Sequence, residues 1–403
     1  MANIDVYVNK KVVGRLTKTG EKHVFSYRHH AQEALSLTMP IRTESYSYQG
    51  LHPIFQMNLP EGDLRQAIER TTAKLYGSDD LTVMSLLGNN QIGRMAYTIA
   101  EQALSDQEDA FPDLSSLLGS NDASLFDQLL TRFATRSGVA GVQPKVLLDV
   151  KIEQLLSVEA KASLPFHSYI VKSWGHEYPE LGCNEYFSLM LARYAGLQVA
   201  DFYLSDNGRL LITKRFDLDP QGKQLGFEDF CVLQGKNTRE KYDASLESCT
   251  NTIRQYVSPQ FQRQALSDFF KLTLVNWKLC NGDAHLKNSG VLYENLENFH
   301  IGEYPQAERQ LAPVFDLVST IPYIQNDTMA LSLTGSKRWP KWKVLQQFGK
   351  QHCGLSNKEI KQSAEQVEQA CQDSLSILRQ LSAKHYHFGH IAEKMEIAVM
   401  RPF

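Results

Sequence analysis

The order of patterns along the sequence predicts an α+β, two-lobed fold with an N-terminal α+β subdomain and a helical C-terminal lobe. Three observations predict it: strand-like stretches come early, amphipathic helices dominate from about Glu240 onward, and a polar loop, Asn281–Asn288, closes one of those helices. With 403 residues the chain has room for two or three domain-sized units. Its 42% hydrophobic and 22% charged residues are those of a globular protein. A net charge of −3 argues against a surface built as a whole to hold nucleic acid.

Ile4–Val8 alternates apolar and polar, and Val12–Leu16 continues after the turn-like Asn9-Lys10, so an N-terminal hairpin is expected. Leu59-Pro60-Glu61-Gly62 breaks structure before the helix-like Asp63–Lys74, with Asp63 as its cap. The polar stretch Ser105–Ser124 reads as a connection between units. Lys145–Val150 and Ser168–Lys172 are short strands. Phe187, Met190, Leu191, Tyr194 and Ala195 then recur at helical spacing, and Gly196 is the stop. Leu210–Phe216 has a strand pattern. Leu266, Phe269, Phe270, Leu274 and Trp277 form one helical face that leads into the polar loop. Ser356 and Glu359 make a capping box before a long amphipathic helix.

The six cysteines include no C-x-x-C pair, so reduced thiols are expected rather than a zinc site or a disulfide framework. The start, MANIDVYVNKKVVG, lacks a basic-then-apolar signal layout, and no apolar run reaches membrane-spanning length. A cytoplasmic protein with no membrane partner is expected.

The chemistry concentrates in Asn281-Gly282-Asp283-Ala284-His285-Leu286-Lys287-Asn288. Phosphoryl transfer to a hydroxyl needs a carboxylate that orients the hydroxyl proton and oxygen ligands that hold Mg²⁺ against the phosphates. Protein kinases supply both from one loop, with an Asp and, five residues on, an Asn. Asp283 and Asn288 have that separation, although a polar turn has it by chance in many proteins. A second metal ligand belongs downstream at a strand end, where Ala312-Pro313-Val314-Phe315-Asp316 offers Asp316; between the two, SGVLYE and FHIGEY read as the strands of a hairpin. Upstream, Lys172 ends the strand Tyr169-Ile170-Val171 and Glu185 opens the next helix, the lysine–glutamate pair that ATP phosphates require. Ser137–Lys145 is a small-residue loop running into a strand, suited to backbone contacts with phosphate, but it lacks the Walker form. Each signal alone is weak. Their order is the one a kinase requires.

These residues resemble the HipA-like kinases of bacterial toxin–antitoxin systems, over nearly the whole chain. NLPEGDLR (Asn58–Arg65) and SLLGNNQIGRM (Ser85–Met95) resemble the family's N-terminal subdomain, and AGVQPK (Ala140–Lys145) its phosphate loop. NEYFSLMLARYAG (Asn184–Gly196), KRFD (Lys214–Asp217) and FEDFCVL (Phe227–Leu233) resemble its middle segments. NGDAHLKN is close to the family's N-x-D-x-H-x-K-N motif. The resemblance implies a two-lobed protein-kinase-like fold and an ATP-dependent, Mg²⁺-requiring serine/threonine kinase. It divides the chain into an N-terminal subdomain (1–104), a connection (105–124), the nucleotide-binding remainder of the first lobe (125–233) and a helical lobe with the catalytic loop (234–403). It implies Asp283 as catalytic base, with His285 and Lys287 in the same catalytic motif, and Asn288 and Asp316 as Mg²⁺ ligands. Lys172 would contact ATP phosphates, with Gly141 and Lys145 in the phosphate loop and His285 near the nucleotide. Backbone groups around Lys214–Phe216 would meet the adenine. The implied substrate is a protein, aminoacyl-tRNA synthetases being among the family's targets. The implied partner is a HipB-like DNA-binding antitoxin, with DNA reached only through it.

One departure concerns the serine whose autophosphorylation silences many members. The register of AGVQPK puts Gly138 at that position, with Ser137 one residue earlier. Ser137 is the candidate here. The tail histidines His385, His387 and His390, and Arg28-His29-His30, read as solvated segments, and Trp339 between Arg338 and Lys341 as a surface aromatic. Two other functions remain open: a small-molecule kinase using a similar loop, and a catalytically silent subunit of an antitoxin–DNA complex.

Overall fold

Asn9 and Lys10 both take left-handed φ, 49° and 64°, as a two-residue hairpin turn that matches strand twist requires. They join β1 (Asn3–Val8) to β2 (Lys11–Thr19), so the predicted hairpin is present. The computed structural model describes residues 3–72, 79–88, 90–104, 113–120, 122, 124–134, 137–139, 143–151 and 166–403. β3 (Lys22–Tyr27) and β4 (Tyr46–Gln49) extend the sheet on one side and β5 (Met95–Ile99) on the other, in the order β4-β3-β2-β1-β5. Because β1 is internal, its polar side is covered as well. Asp5 is 4% exposed, accepting from Arg15 Nε at 2.9 Å and from the Glu101 N–H at 3.0 Å. Helices α1 (Pro53–Gln56), α2 (Gly62–Thr72) and α3 (Asp80–Leu87) cover this sheet, with Phe55, Leu64, Ile68 and Met84 in one apolar cluster with Ile4 and Val6. Helix α2 starts at Gly62, so Asp63 lies inside its first turn rather than capping it, and the predicted end at Lys74 lies outside the described residues.

The polar stretch expected as a plain connection carries a helix, α4 (Leu114–Gly119), capped by Asp113, which accepts from the Ser116 N–H at 3.2 Å. Its Leu117 packs with α5 (Leu125–Phe133) on a second sheet. One buried leucine in six residues is too little for periodicity to reveal. That sheet comprises β6 (Lys145–Lys151), β7 (Phe166–Lys172), β8 (Phe202–Leu204) and β9 (Leu211–Lys214), in the order β6-β7-β9-β8. Helix α6 (Leu181–Tyr194) follows β7, and Gly196, at φ 78°, lies just beyond its end as expected.

A third sheet has the order β10 (Gly226–Asp229), β11 (Gly290–Tyr293), β12 (Arg309–Leu311). SGVLYE thus supplies a strand, but FHIGEY does not. Phe299 is buried, Ile301 is 58% exposed, Gly302 turns the chain at φ 85°, and the partner strand lies further on around the buried Arg309. Strand β10 and helix α7 (Phe230–Leu233) pack with the helical lobe, since β10 pairs with β11 and Phe230 and Leu233 join the large helical core. Phe227 and Val232 of the same segment join the N-terminal cluster, so the segment lies between the two cores.

That core is built by α6 with α8 (Leu246–Tyr256), α9 (Pro259–Leu279), α10 (Trp342–Gln351), α11 (Asn357–Lys384) and α12 (Gly389–Met400), through Phe187, Phe270, Val367 and Phe388. Ser356 and Glu359 form the expected capping box of α11. All six cysteines are free and buried. His387, His390 and Arg28-His29-His30 are exposed, but His385 is buried beside Gly208. Trp339 is an anchor rather than a surface ring, donating from Nε1 to the Asp327 carbonyl at 2.8 Å. Among the described residues no helix is long and apolar enough to cross a membrane.

Candidate active site

Between the lobes lies a cleft of about 920 Å³. Antiparallel register places Lys145, at the start of β6, directly opposite Lys172, at the end of β7, so both side chains leave the same face of the sheet. Both line the cleft and both are buried. Lys172 donates to Glu185 Oε1 at 2.5 Å, which joins β7 to α6, and to Asp316 Oδ1 at 2.7 Å. Burial works against both charges, but the attraction outweighs it, raising the Lys172 ammonium above its ordinary range and holding the Asp316 carboxyl well below its own. Burial and the neighbouring Lys172 depress Lys145, with Asp316 opposing them. Asp316 itself has φ 56°, a left-handed conformation costly for a non-glycine residue and concentrated at functional sites.

The catalytic-loop candidate starts where Cys280, at φ 49°, ends α9 by turning the chain away from the helix axis. Asn281 Oδ1 then accepts from the Asp283 N–H at 3.0 Å, and Asn288 Nδ2 donates to the carbonyls of Asp283 (3.0 Å) and Asp316 (3.3 Å). Both donors of the Asn288 amide are thereby spent on backbone, leaving its carbonyl oxygen as the group it can offer a cation. That oxygen and the ionised Asp316 carboxylate are hard donors suited to Mg²⁺. Asp283 lines the same cleft, and burial raises its carboxyl despite a hydrogen bond from Tyr242. His285 Nε2 is 4.0 Å from Asp283 Oδ1. Burial drops the imidazole to about 4, so at neutral pH it is uncharged and this contact is no ion pair.

Lys287 is buried, donating to the Met57 carbonyl at 3.1 Å and lying 3.3 Å from Asp229; its contacts are those of an anchor between the loop and the N-terminal subdomain. Phe216 lines the cleft and stacks on Phe315 with ring centres 4.8 Å apart, an apolar wall for a base. Lys214 is not part of that lining, and its N–H donates to the Asp201 carbonyl at 2.7 Å. Gly141 lies outside the described residues. Ser137 is fully buried away from the cleft, its Oγ donating to the Phe133 carbonyl at 2.8 Å and accepting from the Leu147 N–H at 2.9 Å. Gly138 is pressed against Gln91, whose Cγ would stand 2.5 Å from any Cβ placed there.

Several residues that shape the site were missed. Tyr242 donates to Asp283 Oδ1 at 2.6 Å, and Glu61 Oε2 pairs with Lys241 at 3.3 Å. Arg215 and Asp217, quoted as part of KRFD, form a fully buried ion pair that grips the N-terminal subdomain: Arg215 donates to the Gln91 carbonyl at 2.5 Å, and Asp217 accepts from the Gly93 N–H at 2.6 Å. Apart from the Arg215–Asp217 pair itself, these contacts span long sequence separations, where only a coincidence of motifs could have hinted at them. Together the groups can bind a polyphosphate on paired lysines, hold a divalent cation beside it, and present a carboxylate to a hydroxyl.

A family model described as the HipA-like C-terminal domain matches residues 137–375, and one described as the HipA N-terminal domain matches residues 4–98. A provisionally named kinase of Sinorhizobium fredii, Y4dM, is 27% identical over 301 residues, covering 71% of this chain and 66% of that protein. A provisionally named kinase of Haemophilus influenzae is 29% identical over 210 residues, covering 47% and 55%. The chain thus spans about two thirds and about half the length of these two relatives. A chain from the solved complex of the Shewanella oneidensis toxin–antitoxin system, HipA with HipB and operator DNA, shares the fold with a TM-score of 0.68 over 98% of this chain and 96% of that one, at 16% identity.

Proposed function

The chain belongs to the HipA family through both its N-terminal and its C-terminal domain, and from that premise we propose that it is an ATP-dependent kinase of protein serine or threonine. The observation that carries the reading is the convergence of Lys172, Asp283, Asn288 and Asp316 on one cleft. A substrate hydroxyl hydrogen-bonds to Asp283, its oxygen attacks the γ-phosphorus of ATP, the bond to the β–γ bridging oxygen breaks, and the hydroxyl proton passes to the Asp283 carboxylate. Lys172 and Lys145 bind phosphate oxygens, and Phe216 and Phe315 bound the pocket for the base. Asn288 and Asp316 would hold Mg²⁺, which when bound supplies positive charge against the phosphates.

The finer assignments follow the family. We propose a protein of translation, an aminoacyl-tRNA synthetase in particular, as target, and a role as the toxin of a toxin–antitoxin pair. The Shewanella HipA was solved with HipB and operator DNA, which supports a HipB-like DNA-binding partner for this chain, with DNA reached through that partner. Ser137 remains the candidate for self-phosphorylation. Its hydroxyl is used twice, so modification requires the segment around it to leave its packing against Phe133 and Leu147.

Substrate class is tested by ADP release from Mg·ATP. A dephosphorylated protein extract is expected to stimulate release by the wild type, and Asp283→Asn to lower it by about 10²–10⁴-fold. Stimulation by sugars or aminoglycosides, with none by protein, would replace the proposal with a small-molecule kinase.

A further inference from the structure

We propose that Tyr242 is a positioning residue for Asp283, and that Glu61 of the N-terminal subdomain sets it in place through Lys241. The proposal rests on the kinase reading of Asp283. A carboxylate at the end of an aspartate side chain turns easily, whereas transfer needs it aimed at one hydroxyl. The Tyr242 hydroxyl donates to Asp283 Oδ1 at 2.6 Å, which pins one carboxylate oxygen and leaves Oδ2 for the substrate. Both residues line the same cleft. Burial and the Asp283 charge push the phenol well above its ordinary value, so it remains a donor throughout the physiological range.

Tyr242 is itself held from several sides. Its ring meets His285 edge-on with centres 5.1 Å apart, and its carbonyl accepts from Lys337 Nζ at 3.0 Å. The preceding carbonyl, of Lys241, accepts from the Leu286 N–H at 3.1 Å, tying this segment to the catalytic loop at backbone level. Lys241 is 9% exposed and its ammonium is 3.3 Å from Glu61 Oε2. Glu61 Oε1 is buried without a hydrogen bond, so the carboxylate depends on Lys241 for compensation. Glu61, Lys241, Tyr242 and Asp283 thus form a continuous path from the LPEGD turn of the N-terminal subdomain to the base.

The test uses the full chain, with steady-state transfer of labelled γ-phosphate from Mg·ATP to a heat-treated, dephosphorylated cell extract. Tyr242→Phe keeps the ring and removes the hydrogen bond. It is expected to lower kcat about ten-fold while KM for Mg·ATP stays within about two-fold. Glu61→Gln is expected to lower kcat several-fold in the same way, and to add little to Tyr242→Phe in the double variant. The proposal is overturned if Tyr242→Phe, with an unchanged melting temperature, turns over as fast as wild type or faster, or if only its KM changes. Should Tyr242→Phe fold poorly, an unchanged kcat in Glu61→Gln overturns the path from the N-terminal subdomain. A wild type that transfers no phosphate removes the kinase reading and this proposal together, whereas an active wild type lost in Asp283→Asn but not in Tyr242→Phe removes this proposal alone.

Discussion

Lys172 compensates two carboxylates at once, the buried Glu185 and the partly buried Asp316. Replacing it with Met leaves both facing each other without their cation. Loss of one partner from such a pair costs about 3–5 kcal/mol. Lys172→Met should therefore lower the urea midpoint as well as the affinity for Mg·ATP; unchanged stability would mean that the lysine matters only to the ligand. His52 makes a second prediction. It is 5% exposed, its Nδ1 accepts from the Ile54 N–H at 3.2 Å as the cap of α1, and burial lowers it to about 4. The unfolded chain, with a histidine near 6.5, binds more protons between these values, so this contribution to stability is lost as pH falls from about 6.5 towards 4. His52 should account for up to about 3 kcal/mol of the stability lost in urea unfolding across that window, and His52→Asn, which keeps an acceptor that does not titrate, should make the slope shallower by that share. At this scale the sequence was legible where spacing is short, as from Asp283 to Asn288. It was silent on Tyr242 and Glu61, because a contact across 41 residues or one across 180 leaves no local period.

The elements read well where one face is wet and poorly where both are buried or the anchor is charged. Helix α11 announces itself by its capping box and the β1–β2 hairpin by its turn residues, but β12 is a three-residue strand whose buried side chain is an arginine. FHIGEY carries a strand's alternation and forms none, because only Phe299 finds a core and Gly302 turns the chain. The hairpin offers a direct check. Lys10 holds φ 64°, which costs a residue with a Cβ about 1 kcal/mol that glycine avoids. Lys10→Gly and Lys10→Ala both remove the lysine side chain, and the glycine variant should be the more stable of the two by about that amount in urea unfolding; an alanine variant of equal or greater stability would contradict the turn geometry.

Over the whole molecule, the N-terminal subdomain and the nucleotide lobe share a core, since Leu147, Ile170 and Phe227 belong to the same cluster as Ile4 and Phe55. Buried polar contacts reinforce it: Glu228 accepts from Ser36 Oγ and the Leu37 N–H, both at 2.7 Å, while Arg215 and Asp217 hold the Gln91–Gly93 backbone. Such sharing predicts one cooperative unfolding transition. All four tryptophans, Trp174, Trp277, Trp339 and Trp342, lie beyond residue 173, so their fluorescence reports the later lobes while circular dichroism reports every element. The two curves should coincide, and a separated earlier transition seen only by dichroism would show an independent N-terminal subdomain. The central claim is tested most directly by phosphoamino-acid analysis after incubating the chain with γ-labelled Mg·ATP and dephosphorylated protein extract, beside Asp283→Asn. Labelled phosphoserine or phosphothreonine in the wild type alone is the predicted result; equal labelling by both proteins, or none by either, contradicts Asp283 as the base of a protein kinase.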